Sequence, residues 1–223
     1  ISADGEYITA VSDDKKIYLF DKDSSTPLWT YTTGADADTV AISADGNYIV
    51  ASSNDKKIYV FSKDSSTPLW TYTADHEGNV EISADGEYIV FATTGSDKTL
   101  YVFDKDSSTP LWSYEADESI CSVDISADGE YITIGTTAND KKVYLFDKDS
   151  STPLWSYTTG SSVCSISISA NGEYIAAGSN DDKIYLFDKD SSTPLWNYST
   201  GAYVSSVSIS ADGEYITAGS YLY

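Results

Sequence analysis

A nine-residue phrase recurs along this chain and limits what it can fold into. The phrase DKDSSTPLW begins at Asp21, Asp104, Asp147 and Asp188, and it returns as SKDSSTPLW at Ser62. A second phrase, ISADGEYI, begins at Ile1, Ile82, Ile125 and Ile209, with close variants at Ile42 and Ile168. Successive copies are 41, 40, 43, 43 and 41 residues apart. Because a catalytic motif is normally needed once whereas a building block recurs, this regularity indicates architecture rather than chemistry.

Each repeat contains four strand-like segments. In the fifth repeat, apolar and small polar residues favour strands over 163–169, 173–179, 183–188 and 194–200, and no helical period appears in the chain. The residue order of SADG favours a type I turn closed by a glycine at positive φ. We therefore interpret its aspartates as turn formers: Asp45, Asp85, Asp128 and Asp212. Four strands in about 41 residues predict an all-β fold, a β-propeller of four-stranded antiparallel blades.

The copy number predicts how the blades are arranged. We expect one propeller domain over residues 1–223, with repeats starting near residues 1, 42, 82, 125, 168 and 209. There are six second strands but only five third and fourth strands, which favours six sectors with the last blade incomplete. The alternative is a five-bladed ring in which the strand near 204–210 completes the first blade. An incomplete blade leaves an unpaired strand edge, through which another copy could associate.

Composition excludes several classes of partner. The formal charge is -22, from 35 acidic residues and 13 basic residues that are all lysine. Phosphate contacts need clustered cations, so we expect no nucleic acid partner, and a cationic partner such as a basic protein is favoured. No run of 18 apolar residues occurs, so membrane insertion is not expected. The chain contains no Met, and we therefore expect it to derive from a longer translation product.

The two phrases carry a family resemblance. Asp21 precedes Trp29 by eight positions, and the same spacing joins Asp104 to Trp112, Asp147 to Trp155 and Asp188 to Trp196. This spacing resembles the Trp-docking repeat of quinoprotein-type propellers. The second copy departs from it with Ser62 before Trp70, and SSTP stands where that family has Thr-Gly. The ISADGEYI hairpin is similar to the SPDGKY hairpin of WD-repeat and related prokaryotic cell-surface propellers.

The resemblance implies a structural role for the tryptophans and a location. Each would dock against the neighbouring blade: Trp29, Trp70, Trp112, Trp155 and Trp196. An extracellular or cell-surface location follows from the resemblance and the acidity. A quinoprotein-like enzyme fragment is an alternative, but the chain is too short for eight blades and lacks that family's adjacent cysteine pair and cofactor ligands. We therefore expect no enzyme activity and no cofactor.

The loops predict where a partner would bind. Strands alternate in direction, so the SADG and DKDSST turns share one face, which we name the turn face. The loops between second and third strands and between blades share the other face, which we name the loop face, and there the copies differ. Neutral drift explains such variation equally well. The candidate partner-binding residues are Asp13, Asp14, Asp75, Glu77, Asp117, Glu118, Asp181 and Asp182.

Other residues offer weaker candidates for chemistry. Carboxylates and thiols near the axis suggest a metal site only weakly, at Glu81, Asp124, Cys121 and Cys164, and no metal is assigned. We expect equivalent positions in neighbouring blades to be too far apart for a disulfide, which favours two free buried thiols. DKDSS resembles the start of a calcium loop, but Thr26 stands where such a loop needs Gly. The preferred function is a non-catalytic binding or structural module. An acidic calcium-binding module is an alternative to it. His76 has no catalytic partner pattern and is interpreted as a surface residue.

Overall fold

A computed structural model describes residues 1–137 and 139–221. Within these residues the regular elements are all strands, arranged in six antiparallel sheets that follow one another along the chain. We number the sheets as blades one to six. Six sectors with the last incomplete is the arrangement that the repeat count predicted, and the five-bladed alternative is wrong for this structure.

The first three blades contain eleven strands. Blade one has three: β1 (Tyr7–Ser12), β2 (Lys16–Asp21) and β3 (Trp29–Thr32). Blade two has four: β4 (Ala37–Ile42), β5 (Tyr48–Ser53), β6 (Lys57–Ser62) and β7 (Trp70–Thr73). Blade three has four: β8 (Gly78–Ile82), β9 (Tyr88–Thr93), β10 (Thr99–Asp104) and β11 (Trp112–Glu115).

The remaining blades contain ten strands within the described residues. Blade four has four: β12 (Ile120–Ile125), β13 (Tyr131–Thr136), β14 (Lys142–Asp147) and β15 (Trp155–Thr158). Blade five has four: β16 (Val163–Ile168), β17 (Tyr174–Ser179), β18 (Lys183–Asp188) and β19 (Trp196–Ser199). Blade six has two: β20 (Tyr203–Ile209) and β21 (Ile216–Tyr221). In blade five the fourth strand begins at the tryptophan rather than at the proline two residues before it. Leu195, which lies between them, still donates its N–H to the Leu186 carbonyl at 2.8 Å.

The strands of each blade pair in chain order, because a tight turn joins each strand to the next. Asp45 shows how the SADG turn forms: its Oδ1 accepts hydrogen bonds from the Ser43 hydroxyl at 2.7 Å and from the Asn47 N–H at 2.9 Å. The turn glycine has φ of 72° at Gly46, a value that only glycine adopts without strain. The SADG aspartates are therefore turn formers, as the residue order predicted.

The hydrophobic core lies between blades rather than within one sheet. One cluster joins Val60 of blade two to Phe91 and Phe103 of blade three, and equivalent clusters join the other neighbouring pairs. The third-strand phenylalanines of blades two to five are fully buried. In blade one the equivalent Phe20 is only half-buried, and Ile8 is 39% exposed. Each blade thus depends on the preceding one for the burial of its apolar face.

The inner strands converge on a common axis. The Ile-Ser-Ala copies are linked by backbone bonds: Ala3 N–H donates to Ala44 C=O at 2.8 Å, and the series continues blade by blade to Ala170 N–H and Ala211 C=O at 3.1 Å. The isoleucines and alanines of all six copies line one cavity of about 390 Å³. Among the described residues no corresponding bond joins Ala211 to the first copy. The apolar end of the axis is therefore the same in every repeat.

Candidate functional site

Four of the five tryptophans join successive blades. Trp29 donates its Nε1–H to the Lys63 carbonyl of the next blade at 2.7 Å, and its ring lies 5.2 Å from that of Phe61. Trp70, Trp112 and Trp155 repeat this geometry, with indole hydrogen bonds of 2.5–2.7 Å and ring distances of 5.3–5.8 Å. Each tryptophan therefore contributes apolar contact and one directional hydrogen bond to a blade joint.

The acceptor of each tryptophan belongs to the next copy of the same phrase. In SKDSSTPLW, the carbonyl of Lys63 receives the indole of the preceding blade, and Trp70 then donates to Lys105. One nine-residue phrase thus supplies both halves of a joint. All five tryptophans were expected to dock against the next blade, but Trp196 does not. It is 43% exposed, because the described part of blade six ends before a third strand.

The carboxylates of the turn face are used in internal bonds. The Asp21 Oδ1 accepts the Asp23 N–H at 2.9 Å, and Asp104, Asp147 and Asp188 repeat this bond. In the second copy the Ser62 hydroxyl accepts the Asp64 N–H at 3.3 Å, so serine keeps the turn without the charge. In the four copies that begin with Asp, the third residue forms an ion pair with the adjacent lysine, as Asp106 does with Lys105 at 3.0 Å. The resemblance of DKDSS to a calcium loop is therefore explained by turn formation.

Several loop-face aspartates also have an internal role. The carboxylate of Asp181 accepts the hydroxyl of Tyr185 and the N–H of Gly160, both at 2.7 Å. Burial, followed by the hydrogen bond to Asp181, raises the pKa of Tyr185 above its usual range. Asp14 accepts the hydroxyl of Tyr18 in the same way. Two of the eight candidate partner-binding residues are thus held by a tyrosine four positions later, which leaves them less available to a partner.

The loops of the loop face contact one another across blades. Lys98 donates to the Asp117 carbonyl at 2.8 Å, and Gly95 N–H donates to the Ser119 hydroxyl at 3.0 Å. The candidate residues Asp13, Asp75 and Asp117 are exposed, whereas Glu77, Glu118 and Asp182 are half-buried. His76 accompanies them, and its Nε2 lies 2.9 Å from the Ser96 hydroxyl. The second-to-third loops and the interblade loops therefore form one surface, as the alternation of strand directions predicted.

A second axial cavity, of about 460 Å³, lies at the loop-face end of the inner strands. We name it the thiol cavity. Unlike the isoleucine and alanine ring at the other end, it is lined by different polar side chains from successive blades: Asp38, Asn79, Glu81, Cys121 and Cys164. The two ends of the axis therefore differ in chemistry, and only the loop-face end differs from blade to blade.

The two axial carboxylates have separate environments. Burial and the neighbouring Asp124 charge raise the pKa of Glu81 to about 8. Burial raises the pKa of Asp124 to about 6, while the N–H groups of Ile168 and Ile125 oppose this rise by hydrogen bonding. Asp124 Oδ2 accepts the Ile168 N–H of the next blade at 2.8 Å, and Ser167 accepts the Ile209 N–H at 3.4 Å in the same position of the following blade. Asp124 is therefore a bridge between blades, whereas Glu81 faces the cavity.

The two cysteines are free and close together. Cys121 Sγ lies 2.8 Å from the Val163 carbonyl, and both cysteines line the thiol cavity. The interaction between the two thiols lowers the pKa of Cys164 to about 7 and raises the pKa of Cys121. Across residues 1–137 and 139–221, no group of three or more His, Cys, Asp or Glu residues could hold a metal ion. Glu81, Asp124 and the two cysteines are therefore not one cluster of ligands.

The architecture and the joints define a class of protein. Successive four-stranded antiparallel sheets arranged about an axis and joined by docked tryptophans make this chain a β-propeller. A model of the family described as outer membrane protein assembly factor BamB, built from quinoprotein-like repeats, matches residues 13–138 and again residues 96–222. The chain belongs to this family. No curated protein matches it significantly.

Where the structure describes the chain, it contains no helix long and apolar enough to cross a membrane.

Sequence reasoning missed two features of the site. The hydrogen bond from a tyrosine to the loop aspartate four residues before it had a visible signal in the sequence. Asp55 and Tyr59 have the same spacing across the equivalent loop of blade two, and they are also hydrogen-bonded. The lysine carbonyl that receives each indole had no side-chain signal, because a backbone oxygen is present at every residue.

Proposed function

We propose that this chain is a non-catalytic binding module whose loop face and thiol cavity receive a cationic protein partner. One observation supports this choice of face above the others: the inner strands present different polar side chains around the cavity at the loop-face end of the axis, and identical isoleucines and alanines at the other end. A specific partner needs a surface whose parts differ. The family description, which names an assembly factor, agrees with a protein partner.

Charge supports a cationic partner but does not by itself choose the face. The net charge of -22 attracts basic surfaces to the whole molecule, and the turn face carries acidic residues in every repeat. The turn-face aspartates already accept backbone N–H groups or pair with lysines. On the loop face, Asp13 and Asp75 are exposed beside loops of different sequence in each blade. Electrostatic attraction of a basic partner is therefore a property of the whole molecule, whereas the residues that distinguish one partner from another lie on the loop face.

The test compares two variants with equal changes in charge. The loop-face variant combines Asp13→Asn, Asp75→Asn and Asp117→Asn; the turn-face variant combines Asp23→Asn, Asp106→Asn and Asp149→Asn. The probes are fluorescein-labelled synthetic peptides rich in lysine and apolar residues, measured by anisotropy at low and physiological salt. We expect the loop-face variant to lose at least about tenfold in affinity and the turn-face variant only a few-fold, with binding by both weakening as salt screens the charges.

Three outcomes would contradict the proposal. Equal losses in the two variants would mean that binding is unspecific attraction to an acidic molecule. A larger loss in the turn-face variant would place the partner on the repeated face. Turnover of a bound peptide or of a quinone substrate would make the chain an enzyme. Far-ultraviolet circular dichroism of each variant controls for folding.

A further inference from the structure

The two cysteines occupy the same irregularity in neighbouring blades. The pairing of β12 with β13 passes from Ile120 to Ser122, and that of β16 with β17 passes from Val163 to Ser165. Cys121 and Cys164 are the extra residues of these two bulges. A bulge interrupts the alternation of side chains and redirects the residue that it adds. Both thiols consequently line the thiol cavity.

The bulges bring the two thiols together across the joint between blades four and five. Cys121 Sγ lies 2.8 Å from the carbonyl oxygen of Val163, which is bonded through its peptide to Cys164. Both cysteines line the thiol cavity, from neighbouring blades. Two thiols that line one cavity on neighbouring blades can hold one ion between them, and neither is consumed in a disulfide.

The surroundings restrict which ion would fit. Among the described residues that line the cavity, the other side chains with heteroatoms are hydroxyls, an amide and carboxylates, none of them a soft ligand. His76 is engaged with Ser96 on the loop face and does not line the cavity. Zinc in proteins is held by four ligands in a tetrahedron, typically including thiolates or imidazoles. Thiolates select soft ions such as copper(I), which is stable with two sulfur ligands in a line.

We propose that Cys121 and Cys164 form a two-coordinate site for a soft monovalent cation of the copper(I) class at the loop-face end of the axis. Both thiols lose their protons to solvent when the ion binds, and no electron is transferred. The carboxylate of Asp38 lines the same cavity and favours the entry of a cation.

The variants for the test come from the repeat itself. Blade six carries Ser205 at the same bulge, and its hydroxyl donates to the Gly219 carbonyl at 3.2 Å, as Cys121 Sγ approaches the Gly135 carbonyl at 3.6 Å. Serine is therefore native to this position, and we expect Cys121→Ser and Cys164→Ser to fold. Silver(I) serves as an air-stable probe, with copper(I) under anaerobic conditions as the second ion.

We expect the wild-type chain to bind one silver(I) ion, with a thiolate-to-metal absorption band for copper(I) in the near ultraviolet. Affinity should rise between pH 6 and pH 8, because the thiols must lose protons. Each single serine variant should lose at least about 100-fold in affinity, since one thiolate cannot replace two. Excess zinc should not displace the bound ion.

Other results would overturn the site. Two ions per wild-type chain, each lost with one cysteine, would show independent thiols. Unchanged affinity in either serine variant would remove that cysteine from the site. Displacement by zinc at equal concentration would indicate further ligands and a different geometry. None of these measurements uses a protein partner, so the site can fail while the proposed function stands.

Discussion

The repeated tryptophan joint can be tested within one chain, because the structure contains both a docked and an undocked copy. Trp112 donates to the Lys148 carbonyl at 2.5 Å and lies 5.8 Å from the ring of Phe146. Trp196 occupies the same place in its blade but is 43% exposed. We predict that Trp112→Ala destabilises the protein far more than Trp196→Ala does.

The magnitude follows from buried area. A tryptophan buries about 150–250 Å², and at about 25 cal/mol per Å² full burial contributes about 4–6 kcal/mol. The ring of Trp112 is half-buried, so we expect Trp112→Ala to lower the free energy of unfolding by about 3 kcal/mol. Trp112→Phe keeps most of the apolar contact but leaves the Lys148 carbonyl without its donor, at a cost of about 1–1.5 kcal/mol. Trp196→Ala should cost about 1 kcal/mol or less.

Urea unfolding followed by far-ultraviolet circular dichroism measures these differences without relying on tryptophan fluorescence. The slope of the transition must stay unchanged for the comparison to hold, because repeat arrays can lose cooperativity. Equal destabilisation by Trp112→Ala and Trp196→Ala, within about 0.5 kcal/mol, would refute the role of the next-blade contact. So would a Trp112→Phe variant as unstable as Trp112→Ala, because the hydrogen bond alone would then carry the joint.

Three further predictions follow from other parts of the structure. Glu81 has a raised pKa of about 8 against an ordinary 4.5, so the folded chain binds more protons than the unfolded chain between these values and stability falls as pH rises through that window. Glu81→Gln should therefore flatten the pH dependence. Relative to wild type, its stability should rise by about 4 kcal/mol between pH 4.5 and pH 8.5, measured by urea unfolding with exposed Glu115→Gln as the control. A Cβ at Gly129 would lie 2.5 Å from Tyr88, whereas one at Gly5 would meet nothing within 4 Å, and both glycines have positive φ. Gly129→Ala should consequently cost about 1–3 kcal/mol more than Gly5→Ala in thermal unfolding, and equal costs would show that backbone strain alone decides. Asp55→Asn should weaken the bonds to the Tyr59 hydroxyl and Gly34 N–H and destabilise blade two by about 1 kcal/mol, and a neutral result would make those bonds incidental.

The architecture could be predicted because the sequence repeats its local signals. The fixed period, the SADG turns and the strand-like segments each specify a local structure, and all of them agree with one four-stranded unit. The prediction located the third strand of blade five at 183–188, where Lys183–Asp188 is found. It also placed the fourth strand two residues too early, since Pro194 and Leu195 lie outside the strand that begins at Trp196. Proline has no N–H to contribute to a ladder, which accounts for the later start.

The site was less predictable, because its features depend on the relation between repeats. The position of Cys121 in the sequence shows that it is equivalent to Cys164, but not that two bulges turn both thiols into one cavity. Asp124 was grouped with Glu81 because both replace a small residue. The structure gives them different roles, since Asp124 accepts a backbone N–H of the next blade whereas Glu81 faces the thiol cavity. Such contacts depend on the angle between blades, which a single repeat does not encode.

The division between repeated and individual positions has a physical cause. The alanines at the apolar end of the axis each hydrogen-bond to the next repeat through the backbone, and the tryptophans bond to its lysine carbonyl. A change at either place disturbs two blades at once. At the bulge of the inner strand, by contrast, Asp38, Cys121, Cys164 and Ser205 are all accommodated, because the extra residue lies outside the regular pairing. The loop-face end of the axis can therefore acquire specific chemistry without cost to the joints, and any ligand that distinguishes this propeller from a uniform repeat array should be sought there.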